Sequence, residues 1–243
     1  MPVVEVPVAP LLIRAGPGSN LRDRTTFPPF ARCPVAGRAD GTYLGPDGQP
    51  LRHWCFVGEI TRGELRPVGF ELAVTDVEGR EDVRVCYERG DGVDVRVDDM
   101  YGRGVSSIGD TLVVLYPYKD ALDPDSNRLI VQDPTLIQVI PHKLEELLAF
   151  NDVFWSTSSK MCVAPDCVKS GSGLMQCSGC RAATYCSREH QTRHWPTHKR
   201  DCKVAAALSA FTGWDWTTYE APGFRFSQNT SDSLQAILHS YSR

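Results

Sequence analysis

Tyr185 to Cys202 reads YCSREHQTRHWPTHKRDC, with two Cys, three His and one Trp in eighteen positions. Cys186, His190, His198 and Cys202 are spaced four, eight and four apart. On a helix a separation of four puts two side chains on one face, one turn apart. The stretch therefore offers two pairs of soft ligands, each half of a tetrahedral zinc site. The other halves stand just upstream. Cys162 and Cys167 form one pair, and Cys177 and Cys180 form another in QCSGC, whose short turn presents both sulfurs to one metal. Eight ligands between Cys162 and Cys202 suit two Zn²⁺ ions, because structural zinc takes four Cys or His ligands. A disulfide framework needs an oxidising compartment and leaves the alternation of Cys with His unexplained. A catalytic zinc keeps one position open for water, and eight protein ligands for two metals leave none.

Outward from that segment, composition sets the bounds. A chain of 243 residues holds one or two domains. The zinc segment is too short to fold on a hydrophobic core, so metal must supply much of its stability. Thiolate ligands must stay reduced, which implies an intracellular, reducing compartment, cytoplasm or nucleus. Cys33, Cys55 and Cys86 lack motif spacing, and the last two sit in apolar runs as small buried hydrophobes. The start, MPVVEVPVAPLLIRAG, has no basic region and is broken by Glu5 and three prolines, a poor signal peptide. No run approaches the roughly 18 apolar residues of a membrane span.

Charge is unevenly spread. The chain carries a net −4, yet from Lys160 to Lys203 eight basic residues face three acidic ones. Six thiolates and two dications bring that segment to about +3 once metallated. The remainder, with eighteen basic and twenty-seven acidic residues, is acidic. Affinity for phosphate needs clustered Lys and Arg, so this balance argues against a nucleic-acid role for the body.

Residues 1–50 hold nine of the seventeen prolines and read as a mostly irregular Pro/Gly-rich arm. From His53 the pattern becomes that of strands. HWCFVGEITR is one apolar run; FELAVTDV and DVRVCYE alternate on either side of the turn DVEGRED; GVDVRV alternates again; TLVVLYP reads as a buried strand. LIVQDPTLIQVI is a strand broken at Asp133-Pro134. About five strands without helical crossovers predict a small antiparallel barrel, closed or half-closed, within an α+β chain. The pattern over residues 52–141 resembles the oligonucleotide/oligosaccharide-binding (OB) fold, with a small β-sandwich as the alternative. Pro141 then opens a helix, PHKLEELLAFNDVFW, whose Leu144, Leu147, Leu148 and Phe154 form a stripe for packing on the β-rich part. The expected divisions are the arm 1–50, a β-rich domain with closing helix 51–155, the finger 160–204 and a helical, aromatic tail 205–243. The tail, with GWDWTTYEAPGF and a capped helix SDSLQAILHSY, is expected to pack back on the body.

Residues 162–202 resemble the MYND-type zinc finger. CSGC, YCS, HQ, HW and HK stand as in that family, with Gln after the sixth ligand and Trp four residues later. The resemblance implies interleaved sites, with Cys162, Cys167, Cys186 and His190 on one zinc and Cys177, Cys180, His198 and Cys202 on the other. Crossed pairs would tie the halves into one rigid unit. The first pair departs from the family in having four intervening residues where two are common, so its knuckle should be looser. His190 stands where Cys is common, and imidazole serves zinc equally well. His194 falls outside the ligand register and is expected at the surface. Family members bind proteins, with proline-rich peptides as a ligand class, and Ser178, Gln191 and Trp195 match the family's peptide groove. An aromatic plane beside an amide suits an extended proline segment. The alternative is that Trp195 is core in a core-poor finger.

MYND fingers also accompany SET-type lysine methyltransferase domains. The sequence has no NHSC-like element, no G-x-G-x-x-G (GRGVSS from Gly102 lacks the third glycine), no G-x4-G-K-[ST], no G-x-S-x-G and no H-E-x-x-H. Asp98-Asp99 and Glu145-Glu146 read as solvated surface. The expectation is a non-enzymatic adaptor that binds proteins. A nucleic-acid-associated factor using the OB-like barrel, or an enzyme with an unrecognised β-domain site, are the alternatives.

Overall fold

The computed structural model describes residues 16–66, 69–88, 108–123, 125–131, 133, 136–156 and 161–226. The GVDVRV segment, the linker 157–160, the first fifteen residues and the SDSLQAILHSY segment lie outside them.

The apolar run from His53 folds as β1 (Cys55–Arg66), the longest strand and the hub of the sheet. Its first part, Cys55–Glu59, pairs antiparallel with β4 (Thr111–Leu115). From Gly58 on it pairs with β2 (Gly69–Asp76), with an irregularity between Ile60 and Arg62. Gly58 sits where both partners meet the strand. A Cβ there would stand 3.0 Å from both the Thr75 carbonyl oxygen and a Val74 methyl, so the close approach requires glycine. β2 pairs with β3 (Val83–Glu88), and the DVEGRED turn between them is held by Asp76. That buried carboxylate accepts hydrogen bonds from the backbone N–H groups of Phe30, Glu78 and Arg80, each at 2.9 Å.

The sequence led us to expect an antiparallel barrel or sandwich, and here the structure differs. The described strands of the body form one mixed seven-stranded sheet in the order β5 (Tyr118–Lys119), β6 (Arg128–Val131), β3, β2, β1, β4 and β7 (Ile137–Ile140), which is not closed into a barrel. β6 (Arg128–Val131) runs parallel to β3, and β7 (Ile137–Ile140) runs antiparallel to β4. The cause lies in LIVQDPTLIQVI. Proline cannot donate to a ladder, and around Asp133-Pro134 the one expected strand divides into two that pair at opposite ends of the order. The short β5 (Tyr118–Lys119) lies outside β6 at one edge.

Every residue of β4 is buried, so that strand is covered on both faces. The core draws on Leu21, Phe27, Phe30 and Leu44 from the amino-terminal arm and on Trp216 and Phe226 from the tail, as well as on the strands. Trp54 and Trp216 are fully buried, and the Trp54 indole N–H donates to the Pro117 carbonyl at 3.0 Å. Helix α1 (Leu144–Ser156) begins three residues after Pro141, with Glu145 and Glu146 at its positive end and Leu144 and Leu147 in the core. Asn151 is buried on it and ties the arm down: its side chain accepts from the Leu21 N–H at 3.0 Å and donates to the Asn20 side chain at 2.9 Å.

The ligand-rich stretch lies on α2 (Arg188–Thr212), which continues past Cys202. Its far end enters the main core through Val204 and Leu208, while Ala205 belongs to a separate small core made of finger residues. Phe150 of α1 packs against both cores. An Arg200–Glu146 ion pair also joins α2 to α1. The finger is thus a small second layer seated on the helical side of the body.

Candidate metal centre

Two short antiparallel strands, β8 (Met175–Gln176) and β9 (Thr184–Tyr185), carry the QCSGC knuckle between them. In that knuckle the Cys177 N–H bonds the Ala183 carbonyl at 2.9 Å, and the Arg181 N–H returns to the Cys177 carbonyl at 2.8 Å. A Cβ at Gly179 would lie 3.0 Å from the Cys202 sulfur, which explains why the knuckle needs glycine there. On the other side of β9, the Val163 N–H bonds the Thr184 carbonyl at 2.9 Å, which brings the Cys162–Cys167 loop alongside. The N-terminal turns of α2 then present His190 beside Cys186, while His198 and Cys202 lie farther along.

The eight ligand atoms fall into two clusters, and the donors within each lie within 4.8 Å of one another. Cys162, Cys167, Cys186 and His190 make the first; Cys177, Cys180, His198 and Cys202 make the second, every member of it buried. Zinc at about 2.3 Å from sulfur and 2.0–2.1 Å from nitrogen implies tetrahedral edges of about 3.8 Å (S···S) and 3.5 Å (S···N). Cys167 and Cys186 sulfurs stand 3.8 Å apart, and those of Cys177 and Cys202 3.7 Å. The Cys162 sulfur is 3.5 Å from His190 Nδ1, and the Cys180 sulfur 3.6 Å from His198 Nε2. Cys186 to His190 Nδ1 is tighter, at 3.2 Å. The donor sets fit two zinc ions, each held by three sulfurs and one imidazole, with the ligand pairs crossed.

Charge inside the clusters points the same way. Burial opposes ionisation of Cys162, but the His190 ring and the backbone N–H groups of Ala164 and Cys186 hold its pKa down to about 6. Cys177 is also lowered, by the backbone N–H groups of its knuckle, against burial. Cys180 and Cys202 move the opposite way, raised by burial and then by neighbouring thiolate charge, Cys202 to about 12. The second cluster thus holds thiols pushed in opposite directions, and a bound dication deprotonates coordinating thiols outright. His198 is lowered by burial, which favours the neutral imidazole that zinc takes.

His194 is not at the surface as expected. It is half-buried, its Nδ1 lies 3.1 Å from the Tyr185 hydroxyl, and its ring stacks on that of His198 with centroids 5.6 Å apart. Tyr185 is fully buried at the centre of the finger. These two residues orient a ligand without touching metal, a supporting role that usually travels with metal sites. The signal was present in the sequence: His194 precedes His198 by one helical turn.

Of the three groove residues, Ser178 is exposed on the knuckle and Gln191 is half-buried on α2. Trp195 is 42% exposed and meets His198 only edge-on, with ring centroids 6.0 Å apart.

Elsewhere, a cleft of about 520 Å³ between α1, the arm and the sheet carries Glu59, Asp76, Glu145 and Asp152. Asp76 is occupied by the three backbone N–H groups noted above, and Asp152 pairs with Arg22 at 2.7 Å. Among the described residues the metal-ligating groups are confined to the finger.

Comparison with known proteins agrees with the geometry. Residues 162–202 match the MYND finger family, so this segment is a MYND-type zinc finger, a protein-interaction module. A SET and MYND domain-containing protein of Dictyostelium discoideum is 30% identical over 77 residues, 29% of this chain and 14% of that protein. Human histone-lysine N-methyltransferase SMYD3 is 41% identical over 68 residues, 27% of this chain and 16% of that protein. The matches thus span about one seventh of the length of these relatives. No solved structure matches the chain. No helix among the described residues is long and apolar enough to cross a membrane.

Proposed function

We propose that this protein is a zinc-dependent intracellular adaptor that acts in the cytoplasm or nucleus. Its finger takes a proline-containing segment of a partner protein on the surface formed by Ser178, Gln191 and Trp195, and its β-rich body holds that surface in place. The observation that carries the reading is the state of Trp195. A large aromatic side chain left 42% exposed on a metal-anchored helix is a preformed platform. A proline segment is already extended and loses little entropy on docking, so a shallow site suffices. Affinity in the micromolar to hundreds-of-micromolar range is expected for so few contacts. The test titrates proline-rich peptides into the zinc-loaded full chain, following backbone amide shifts. Shifts clustered on the three residues, and their loss in Trp195→Ala with two zincs retained, support the site. Shifts elsewhere refute it.

A second reading, lysine methylation, is favoured by the name of the human relative, a histone-lysine N-methyltransferase. The likeness to them lies around the finger and extends over a small share of their length, so we take the chain as non-enzymatic. Transfer of a labelled methyl group from S-adenosylmethionine to histone or peptide substrates by the purified chain would overturn that choice.

A further inference from the structure

On α2, Arg188, Thr192, Trp195, Lys199 and Lys203 follow one another at helical spacing and every one is exposed. No carboxylate interrupts this stripe. The nearest acidic side chains of the helix, Glu189 and Asp201, project from other faces; Glu189 is engaged first by Ser187 and feels the Arg188 charge only weakly. The other basic groups of the helix are committed: Arg200 pairs with Glu146 and Arg193 donates to the Pro165 carbonyl at 3.2 Å. Among the described residues Arg188, Lys199 and Lys203 have no ion-pair partner. A tryptophan plane thus stands in a row with two unpaired lysines and with Arg188, which makes no close ion pair, on a segment that remains about +3 with its metals in place.

Resting on the peptide-binding reading above, we infer that the finger selects acidic proline segments, with carboxylates at set distances from the proline. A helix rises about 1.5 Å per residue, which places Lys199 about 6 Å and Lys203 about 12 Å beyond Trp195. An extended proline segment advances about 3.1 Å per residue. With the proline ring on Trp195 and the peptide along α2, the residues two and four away stand level with Lys199 and Lys203; the three-residue turn of the peptide points them to either side, within the sweep of the long lysine side chains. Glu or Asp at those two positions completes the match, and a third acid on the opposite side reaches Arg188.

The test uses the zinc-loaded full chain and three peptides of equal length: one neutral and proline-rich, one with Glu two and four residues from the proline, and one with Lys there. At low salt the acidic peptide should bind about 5–10-fold tighter than the neutral one, as expected of two exposed ion pairs, and the Lys peptide weaker than both. The gap should close toward parity at high salt, where exposed charges are screened. Lys199→Glu/Lys203→Glu should reverse the order of the acidic and Lys peptides while two zincs remain bound. Lys199→Gln/Lys203→Gln should erase the preference, and the salt series on the unaltered chain decides the matter if either variant misfolds. Equal binding of all three peptides overturns the acidic preference and leaves the proline site standing. No binding of any peptide, with zinc present, overturns the site itself. A single-stranded oligonucleotide that displaces the acidic peptide at lower concentration would assign the stripe to nucleic acid and overturn the inference.

Discussion

The finger and the body are built on opposite principles. The small core of the finger consists of Cys162, Cys177, Cys180 and Cys202 with Ala164, Ala183, Ala205 and Tyr185, residues too small or too polar to hold a fold by burial. The main core packs Trp54, Trp216, Phe27, Phe56 and a dozen or more aliphatic side chains. Its aromatic rings contact one another directly, as in Phe27–Trp216 at 5.1 Å and Trp214–Phe224 at 4.2 Å. One region depends on ligand chemistry and the other on apolar area, yet α2 belongs to both. Cohesion by metal and cohesion by burial therefore meet within a single helix.

The largest expected effect comes from removing metal. Zinc binding in finger peptides is worth about 10–16 kcal/mol at neutral pH, more than a small domain's own stability. A strong chelator, or Cys177→Ala, should abolish order over 161–201, while amides of β1, β2 and β4 keep their protection from hydrogen exchange. The end of α2 around Val204 and Leu208 should persist, because the body and not the metal anchors it. Simultaneous loss of strand protection would show that the two cores form one cooperative unit.

Trp216→Ala probes the opposite side of the comparison. Deleting a fully buried Trp should cost the body about 3–5 kcal/mol, read as a lower urea midpoint, while two zincs remain bound. Loss of metal in that variant would mean that the finger relies on the body for its shape.

A smaller effect follows from His53. It is buried between Tyr116, whose hydroxyl lies 2.5 Å from its Nδ1, and Phe224, stacked at 3.8 Å. Burial holds its pKa below the ordinary value, against the opposing pull of the Asp215 charge. The unfolded chain takes up the proton near pH ~6.5, so stability from neutral His53 is complete above that pH and is lost as pH falls through the lowered native value. In Cys177→Ala, where zinc release no longer contributes, the urea midpoint of the body should drop between pH 7.5 and pH 5.5. His53→Gln should weaken that dependence; an unchanged dependence would assign it to other groups.

The finger was legible because its information is local. Cys177 and Cys180 are separated by two residues around a turn that favours a small residue at Gly179, and the two later pairs keep a spacing of four, with His198 and Cys202 on α2 and Cys186 just before it. The sheet was less so. Strand positions around β1 to β4 followed from alternation and apolar runs, but partner choice did not. Nothing in LIVQDPTLIQVI states that its halves pair with β3 in one direction and with β4 in the other. The spacing of His194 from His198 was visible in the sequence, but its contact with Tyr185, nine residues away on β9, needed three dimensions.

By itself the sequence determined the zinc chemistry, the eight ligands, the sign of charge on each region and the apolar strands, because each depends on residue type and short-range spacing. The tertiary structure alone decided that the sheet stays open and mixed, that Phe150 and α2 join the two cores, and that Trp195 faces solvent in a row of exposed cations. Those outcomes depend on which surfaces meet across long stretches of chain. That choice is made by the competition to bury apolar area, which no local pattern encodes.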